Sequence, residues 1–261
     1  MTPERHLLQI SSLSLRRSGA LVLDDLSLAI EQGQFVGLIG PNGAGKTSLL
    51  RIIAARLRSD GGRCVIDGHC AVQSPLAYRR MLGAALAPEE LPADLSPRQL
   101  LQLVAAAREL DQVPEESLWL AERLGLTPWL DRSIGNCSLG ARQKAGLIAG
   151  MLGKPPLLVF DEPFNGLDPL AAFEFKSVLS QWTREGSCAV LLATHGIEVA
   201  ERLLDRAVLL IHGKIADQWT RAELEQLREQ GSDLEAAMVQ SLRKRAEAAS
   251  SDHLPVGHES H

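Results

Sequence analysis

The chain has 261 residues, 45% hydrophobic and 23% charged, with a mean hydropathy near zero, which suits a globular protein large enough to bury a core. A formal net charge of −5 and a pI near 5.8 argue against a nucleic-acid partner, which would bring a basic domain or a Lys/Arg stripe. The longest apolar runs, Leu157–Phe160 and Ala189–Ala193, fall far short of the roughly 18 to 20 residues that cross a bilayer, and Met1–Ser11 lack the pattern of a secretory signal, so the expected compartment is the cytosol.

Leu7–Leu15 and Leu21–Ile30 alternate apolar and polar residues around Ser18-Gly19, the pattern of two antiparallel, half-buried strands. Phe35–Ile39 is a continuous apolar run, the mark of a strand buried on both faces. It leads into a glycine-rich loop and a helix expected from about Thr47 to Leu57. Cys64, His69 and Cys70 lie close together, but their spacing matches no accepted zinc pattern, and they read as strand residues around the turn Asp67-Gly68. From about residue 75 to 150 the pattern turns helical, notably over Ser96–Leu110 and Glu115–Leu124, with Ser96-Pro97 as a helix start. This block reads as a helical insertion in an α/β core that resumes with buried strands at Leu157–Phe160 and Cys188–Ala193. After a strand at Ala207–Ile211, Thr220–Glu229 opens with a Thr-x-x-Glu capping box and Asp233–Ala248 reads as an amphipathic helix. The expected division is a core unit over residues 1–219, a helical extension over 220–249 and a disordered tail over 250–261, whose three histidines read as solvated rather than metal-binding.

Chemistry concentrates at three places. Gly40-Pro41-Asn42-Gly43-Ala44-Gly45-Lys46-Thr47, followed by Ser48, fits G-x-x-x-x-G-K-[ST] between a buried strand and a helix. Glycines let the backbone amides form a nest for phosphate oxygens, and the next helix adds the positive end of its dipole. Lys46 is then expected to reach the β- and γ-phosphates of a nucleotide, and the Thr47 hydroxyl to ligate magnesium. The apolar strand Leu157–Phe160 runs into Asp161 and Glu162 where a parallel sheet meets its ligand crevice. Asp161 is expected to hold the magnesium and Glu162 to orient or deprotonate an attacking water. His195, after Val190–Thr194, falls at the same sheet edge, where its imidazole approaches the γ-phosphate region.

In the order GPNGAGKTS, CSLGARQK, LLVFDEP, GLDP, ATH, the chain resembles the nucleotide-binding subunit of ATP-binding cassette transporters over about residues 7–215. The resemblance implies an ATP-hydrolysing P-loop α/β fold with an antiparallel β subdomain and a helical subdomain. It also implies a head-to-tail pair of cassettes, identical or different, with ATP and magnesium held between the phosphate loop of one and the signature loop of the other. The signature here is Cys137-Ser138-Leu139-Gly140-Ala141. By resemblance Ser138 and Gly140 contact the γ-phosphate across the pair, Asp168 couples the two sites, and helices between Ser96 and Leu124 dock on a separate membrane permease. The chain would then sit at the inner face of the membrane, and its GLDP loop and the loop near Pro92–Pro97 look most like exporter-type subunits.

The sequence departs from that pattern at three points. Cys137, Leu139 and Ala141 replace the commonest signature residues. The adenine-stacking aromatic is replaced, in the best register, by Arg17, which reads equally as a guanidinium plane for stacking or as a solvated strand-end residue. The glutamine that senses magnesium and water is absent from Leu86–Pro92, where Ala87 takes its place and Glu89 reads equally as a substitute polar sensor or as part of a solvated acidic loop.

Overall fold

The computed structural model describes residues 6–195 and 201–251. Its first sheet has four antiparallel strands in the order β2-β1-β4-β5. They are β1 (His6–Arg17), β2 (Ala20–Glu31), β4 (Gly61–Ile66) and β5 (His69–Cys70). Alternation dictates this, because Leu8, Ile10, Leu13 and Leu15 of β1 are buried while polar residues between them face out. The β4–β5 hairpin turns at Asp67-Gly68 and carries Cys64, His69 and Cys70 as strand residues. No cluster of metal-binding side chains exists among the described residues.

The second sheet has six strands in the order β10-β9-β3-β8-β7-β6. They are β3 (Phe35–Ile39), β6 (Leu82–Ala84), β7 (Leu157–Asp161), β8 (Ala189–Ala193), β9 (Arg206–Ile211) and β10 (Lys214–Thr220). All pairings are parallel except the β9–β10 edge. Every residue of β3 and β8 is buried. Successive side chains go to opposite faces and enter two separate cores. Phe35, Ile39, Leu158, Phe160, Val190 and Leu192 pack on one face beneath the helices. Val36, Leu38, Leu157, Val159 and Leu191 pack on the other beneath the antiparallel sheet. Each fully buried Leu, Ile, Val or Phe contributes about 1.5–3 kcal/mol, which is why these strands carry no polar alternation.

Among the described residues the α-helices are α1 (Lys46–Ile53), α2 (Pro75–Arg80), α3 (Pro97–Ala107), α4 (Glu115–Arg123), α5 (Leu139–Met151), α6 (Pro169–Arg184), α7 (Arg221–Glu229) and α8 (Leu234–Ser251). Ser96 and Gln99 close a capping box on α3, and Thr220 and Glu223 do the same on α7. Helix α5 comes close to the chain ahead of α3. A Cβ on Gly146 would lie 2.1 Å from the Leu86 carbonyl oxygen, so only glycine permits that approach.

Four expectations need correction. The helical insertion does not begin near residue 75, because Leu82–Ala84 pairs with Leu157–Val159 as an edge strand of the main sheet. Helix α1 ends at Ile53 rather than near Leu57, where Ala55 adopts a left-handed conformation. Lys214–Thr220, given no element above, is a strand. Residues 250 and 251 complete α8, while the rest of the expected tail, 252–261, lies outside the described residues. No helix among the described residues is long and apolar enough to cross a membrane.

Candidate active site

Helix α1 begins without a side-chain cap. Its N-cap is Gly45, which cannot accept from the first-turn amides, so those donors stay open to a ligand at the positive end of the helix dipole. The loop feeding it, Gly40 to Gly45, is laid against the end of the sheet. Gly40 has φ 150°, and a Cβ there would sit 2.2 Å from the Leu210 carbonyl oxygen. The Gly213 amide donates to the Ala44 carbonyl at 3.0 Å. Together these contacts hold the loop open as a concave nest.

A cavity of about 430 Å³ lies over this nest, lined by residues 42–48 with Val22, Asp161, Glu162 and His195. Lys46 is only 8% exposed. Its Nζ donates to the Gly40 carbonyl at 2.5 Å and the Pro41 carbonyl at 3.1 Å. Burial lowers its pKa, and the Glu162 and Asp161 carboxylates oppose that shift. Asp161 ends β7 opposite Ala193, exposed to solvent, and among the described residues no protein group hydrogen-bonds its carboxylate.

Glu162 is held from several sides. Its φ of 47° is left-handed, a conformation that costs a non-glycine residue about 1–3 kcal/mol unless its surroundings enforce it. Its amide donates to the Ala193 carbonyl at 2.9 Å. Its Oε1 accepts from the His195 amide at 2.8 Å and lies 2.7 Å from His195 Nδ1, and its Oε2 accepts from the Thr194 hydroxyl at 3.1 Å. The Glu162 side chain is 26% exposed and that of His195 65%. The buried ammonium and open amides are equipped to bind a phosphate chain, and the carboxylate aimed beside them to hold a water against it.

The remaining expected residues stand apart. Ser138 is the N-cap of α5, its Oγ accepting from the Ala141 amide at 3.2 Å. Gly140 abuts the Gly166 carbonyl, where a Cβ would approach to 2.8 Å. Asp168 is the N-cap of α6. It accepts from the Ala171 amide at 2.9 Å and from Lys144 Nζ at 2.7 Å, and those bonds, that from Lys144 foremost, hold its carboxyl below the usual range. None of these three lines the loop cavity. Nor does Arg17, which sits at the exposed end of β1 paired with Ala20; from the antiparallel sheet, Val22 reaches the cavity instead. The β1 register shifts between Leu15 and Arg16, and Arg17 stands as an exposed strand-end residue.

A second cavity, about 420 Å³, shares Thr47, Asp161 and Glu162 and extends to residues 84–90, Gln143 and Asn165. Ala87 and Glu89 line it, but the tethered acid in that loop is Glu90, whose Oε2 accepts from the Ala87 amide and from Arg56 Nη1, each at 3.1 Å. Sequence reasoning missed Glu90, Lys144 and Gln143; Gln143 leaves a trace as a polar residue within the largely buried stretch Ala141–Met151.

The chemistry of the donors fits magnesium. Thr47 and Asp161 are hard oxygen donors on the wall of one cavity, and this ion keeps several waters, taking only one or two protein ligands beside substrate phosphates.

Comparison with known proteins agrees with this geometry. The family model described as ABC transporter matches residues 23–165. The chain is 33% identical over 212 residues to the uncharacterized ABC transporter ATP-binding protein YhcH of Bacillus subtilis, covering 81% of this chain and 69% of that protein. It is 32% identical over 206 residues to the doxorubicin resistance ATP-binding protein DrrA of Mycobacterium tuberculosis, covering 78% and 62%. A solved ATP-binding subunit of an ABC transporter superimposes with a TM-score of 0.79 at 30% identity over 90% of this chain and 99% of that one. A bacterial ABC transporter cassette solved as a dimer shares the fold, with a TM-score of 0.74 at 21% identity over 82% of this chain and 98% of that one.

Proposed function

The chain belongs to the ABC transporter family as an ATP-binding ATPase subunit, and from that premise we propose that it works in a pair of cassettes that energises export through a separate membrane permease. The observation that carries this reading is the convergence of Lys46, the open start of α1, Asp161 and the Glu162–His195 pair on one cavity. Residues 1–219 form the ATPase unit, and residues 220–249 a helical extension.

Each residue then has a task. The amides of Gly43 to Ser48 cradle the β- and γ-phosphates, with Pro41 and Asn42 shaping the loop, and Lys46 leaves its two carbonyl partners to bind the phosphates. Thr47 and Asp161 would hold a magnesium ion, whose charge would offset that of the phosphate oxygens. Glu162 accepts a proton from the attacking water, and His195 fixes that carboxylate and faces the γ-phosphate. Ser138, Gly140 and Asp168 act on the nucleotide of the opposite cassette, which agrees with their absence from the loop cavity of their own chain. Export is favoured by similarity to a protein named for doxorubicin resistance. A permease would hold the chain at the inner face of the membrane.

The test is Glu162→Gln, which keeps the shape and removes the base. The variant should bind ATP but turn it over at least 100-fold more slowly, and when purified from native membranes in ATP it should carry a polytopic membrane protein at near-equal ratio. Normal turnover would remove Glu162 from the role of base. Purification with soluble partners alone would overturn the transporter assignment.

A further inference from the structure

The loop over residues 84–90 carries no glutamine or asparagine, and the side chains it brings to the cavity wall include the Glu89 carboxylate but no amide. Ala87 is too short to reach across the second cavity, and Glu90 is committed to Arg56 and to the Ala87 amide. Yet a glutamine does stand on the wall of the same cavity, from helix α5. Gln143 is 9% exposed, one of the few buried polar side chains among the described residues. Its Nε2 donates to the Pro163 carbonyl at 3.1 Å, and among the described residues its Oε1 takes no protein hydrogen bond.

Pro163 immediately follows Glu162, the residue in the left-handed conformation. Beyond it the Asn165 amide donates to the Glu162 carbonyl at 3.2 Å, closing a tight turn. Such a turn persists only when neighbours over-determine it. The carbonyl that Gln143 holds belongs to the Pro163–Phe164 peptide, inside the turn that the Asn165 amide closes on the Glu162 carbonyl, so releasing it frees the turn to relax and swing the carboxylate away from Thr194 and His195. Gln143 also lies five residues from Ser138, on the helix that Ser138 caps. It therefore ties the start of that helix to the base through one side chain and one carbonyl.

We infer that Gln143 is a positioning residue for ATP hydrolysis, pinning through Pro163 the turn that aims Glu162 and linking helix α5 to the base in place of a side chain from the 85–90 loop. The inference rests on the reading of Glu162 as the base. A buried amide that merely fills space would support stability and nothing else, and the experiment separates the two.

Gln143→Leu, Gln143→Glu and Glu162→Gln are compared with the parent as full-length chains, measuring ATPase kinetics, equilibrium binding of a fluorescent ATP analogue and thermal unfolding. Gln143→Leu should lower kcat at least ten-fold while ATP-analogue affinity stays within about three-fold, because ground-state binding does not use the turn. Gln143→Glu supplies a readout that a space-filling role would not move. Burial near Asp161 and Glu162 raises the pKa of the new carboxyl. Ionised, it repels the Pro163 carbonyl; protonated, it donates to it. Its kcat relative to the parent should therefore rise several-fold from pH 8 to pH 6, while the same ratio for Gln143→Leu stays flat. An unchanged kcat in Gln143→Leu, a parallel loss of affinity and melting temperature, or a flat Gln143→Glu ratio would each overturn the inference. If Glu162→Gln alone abolishes turnover while Gln143→Leu does not, the base stands and only the positioning role falls. If Glu162→Gln turns over normally, both fall.

Discussion

The starts of α1 and of α5 and α6 solve the same problem in opposite ways. Each helix presents first-turn amides with no partner inside the helix. At α5 and α6 the polar side chains Ser138 and Asp168 fold back and accept from those amides, and Asp168 is further bound by Lys144. At α1 the N-cap is glycine, no side chain intervenes, and Lys46 is parked on loop carbonyls rather than on an acid. One region is left unsatisfied so that a ligand completes it, and the other is satisfied within its own chain. Residues proposed to serve a neighbouring cassette thus double as caps of their own helices and must give up or share those bonds when they act in trans.

The largest effect that would break this contrast belongs to Lys46. Lys46→Ala should reduce ATP affinity by about 100-fold or more, read by equilibrium binding, because a desolvated ammonium against phosphate has no substitute there. Binding unchanged within a few-fold would mean that the open helix start is not the nucleotide site. Ser138→Ala sharpens the contrast at a smaller scale. It should lower monomer stability by about 1 kcal/mol in urea unfolding, as loss of an N-cap does, while nucleotide affinity measured on the monomer stays the same. A matching drop in monomer affinity would place Ser138 in the site of its own chain.

The smallest effect concerns pH. The Asp168 carboxyl is held below its ordinary value by the Lys144 ammonium and the Ala171 amide, so its stabilisation is present above the unfolded carboxylate pKa and is lost as pH falls through the lower folded value. The side chain is 53% exposed, and solvent screening keeps the ion pair below about 1 kcal/mol. Asp168→Asn should therefore narrow the stability gap to the parent as pH drops from 7 to 3 in urea unfolding. A gap that is constant with pH would show that the Lys144 pair contributes nothing.

The central strands and the phosphate loop are legible in the sequence because they satisfy strong local rules. Phe35–Ile39 is apolar throughout since both of its faces are covered, and the glycine spacing of residues 40–47 has a steric origin that the contact of Gly40 with the Leu210 carbonyl makes concrete. What escapes is set by distant partners. Leu82-Gly83-Ala84 is three residues long and becomes a strand only because β7 offers it an edge, and β10 exists because β9 does the same. Gln143 has no motif of its own, its meaning coming from a proline carbonyl twenty residues away. Arg17 stands exposed at the end of β1, outside the lining of the loop cavity.

The way the phosphate loop is braced also bears on how the chain comes to exist. The loop is translated early, but its supports, the Leu210 carbonyl over Gly40 and the Gly213 amide on Ala44, belong to β9 and the turn after it, and β3 itself lies between β8 and β9. On a ribosome the nest is incomplete until those last strands have emerged. ATP has no formed site on the nascent chain through most of synthesis and so does not guide its early folding. A chain cut short before residue 206 would leave the tunnel with its nucleotide loop unbraced and the apolar edge of β3 exposed to aggregation.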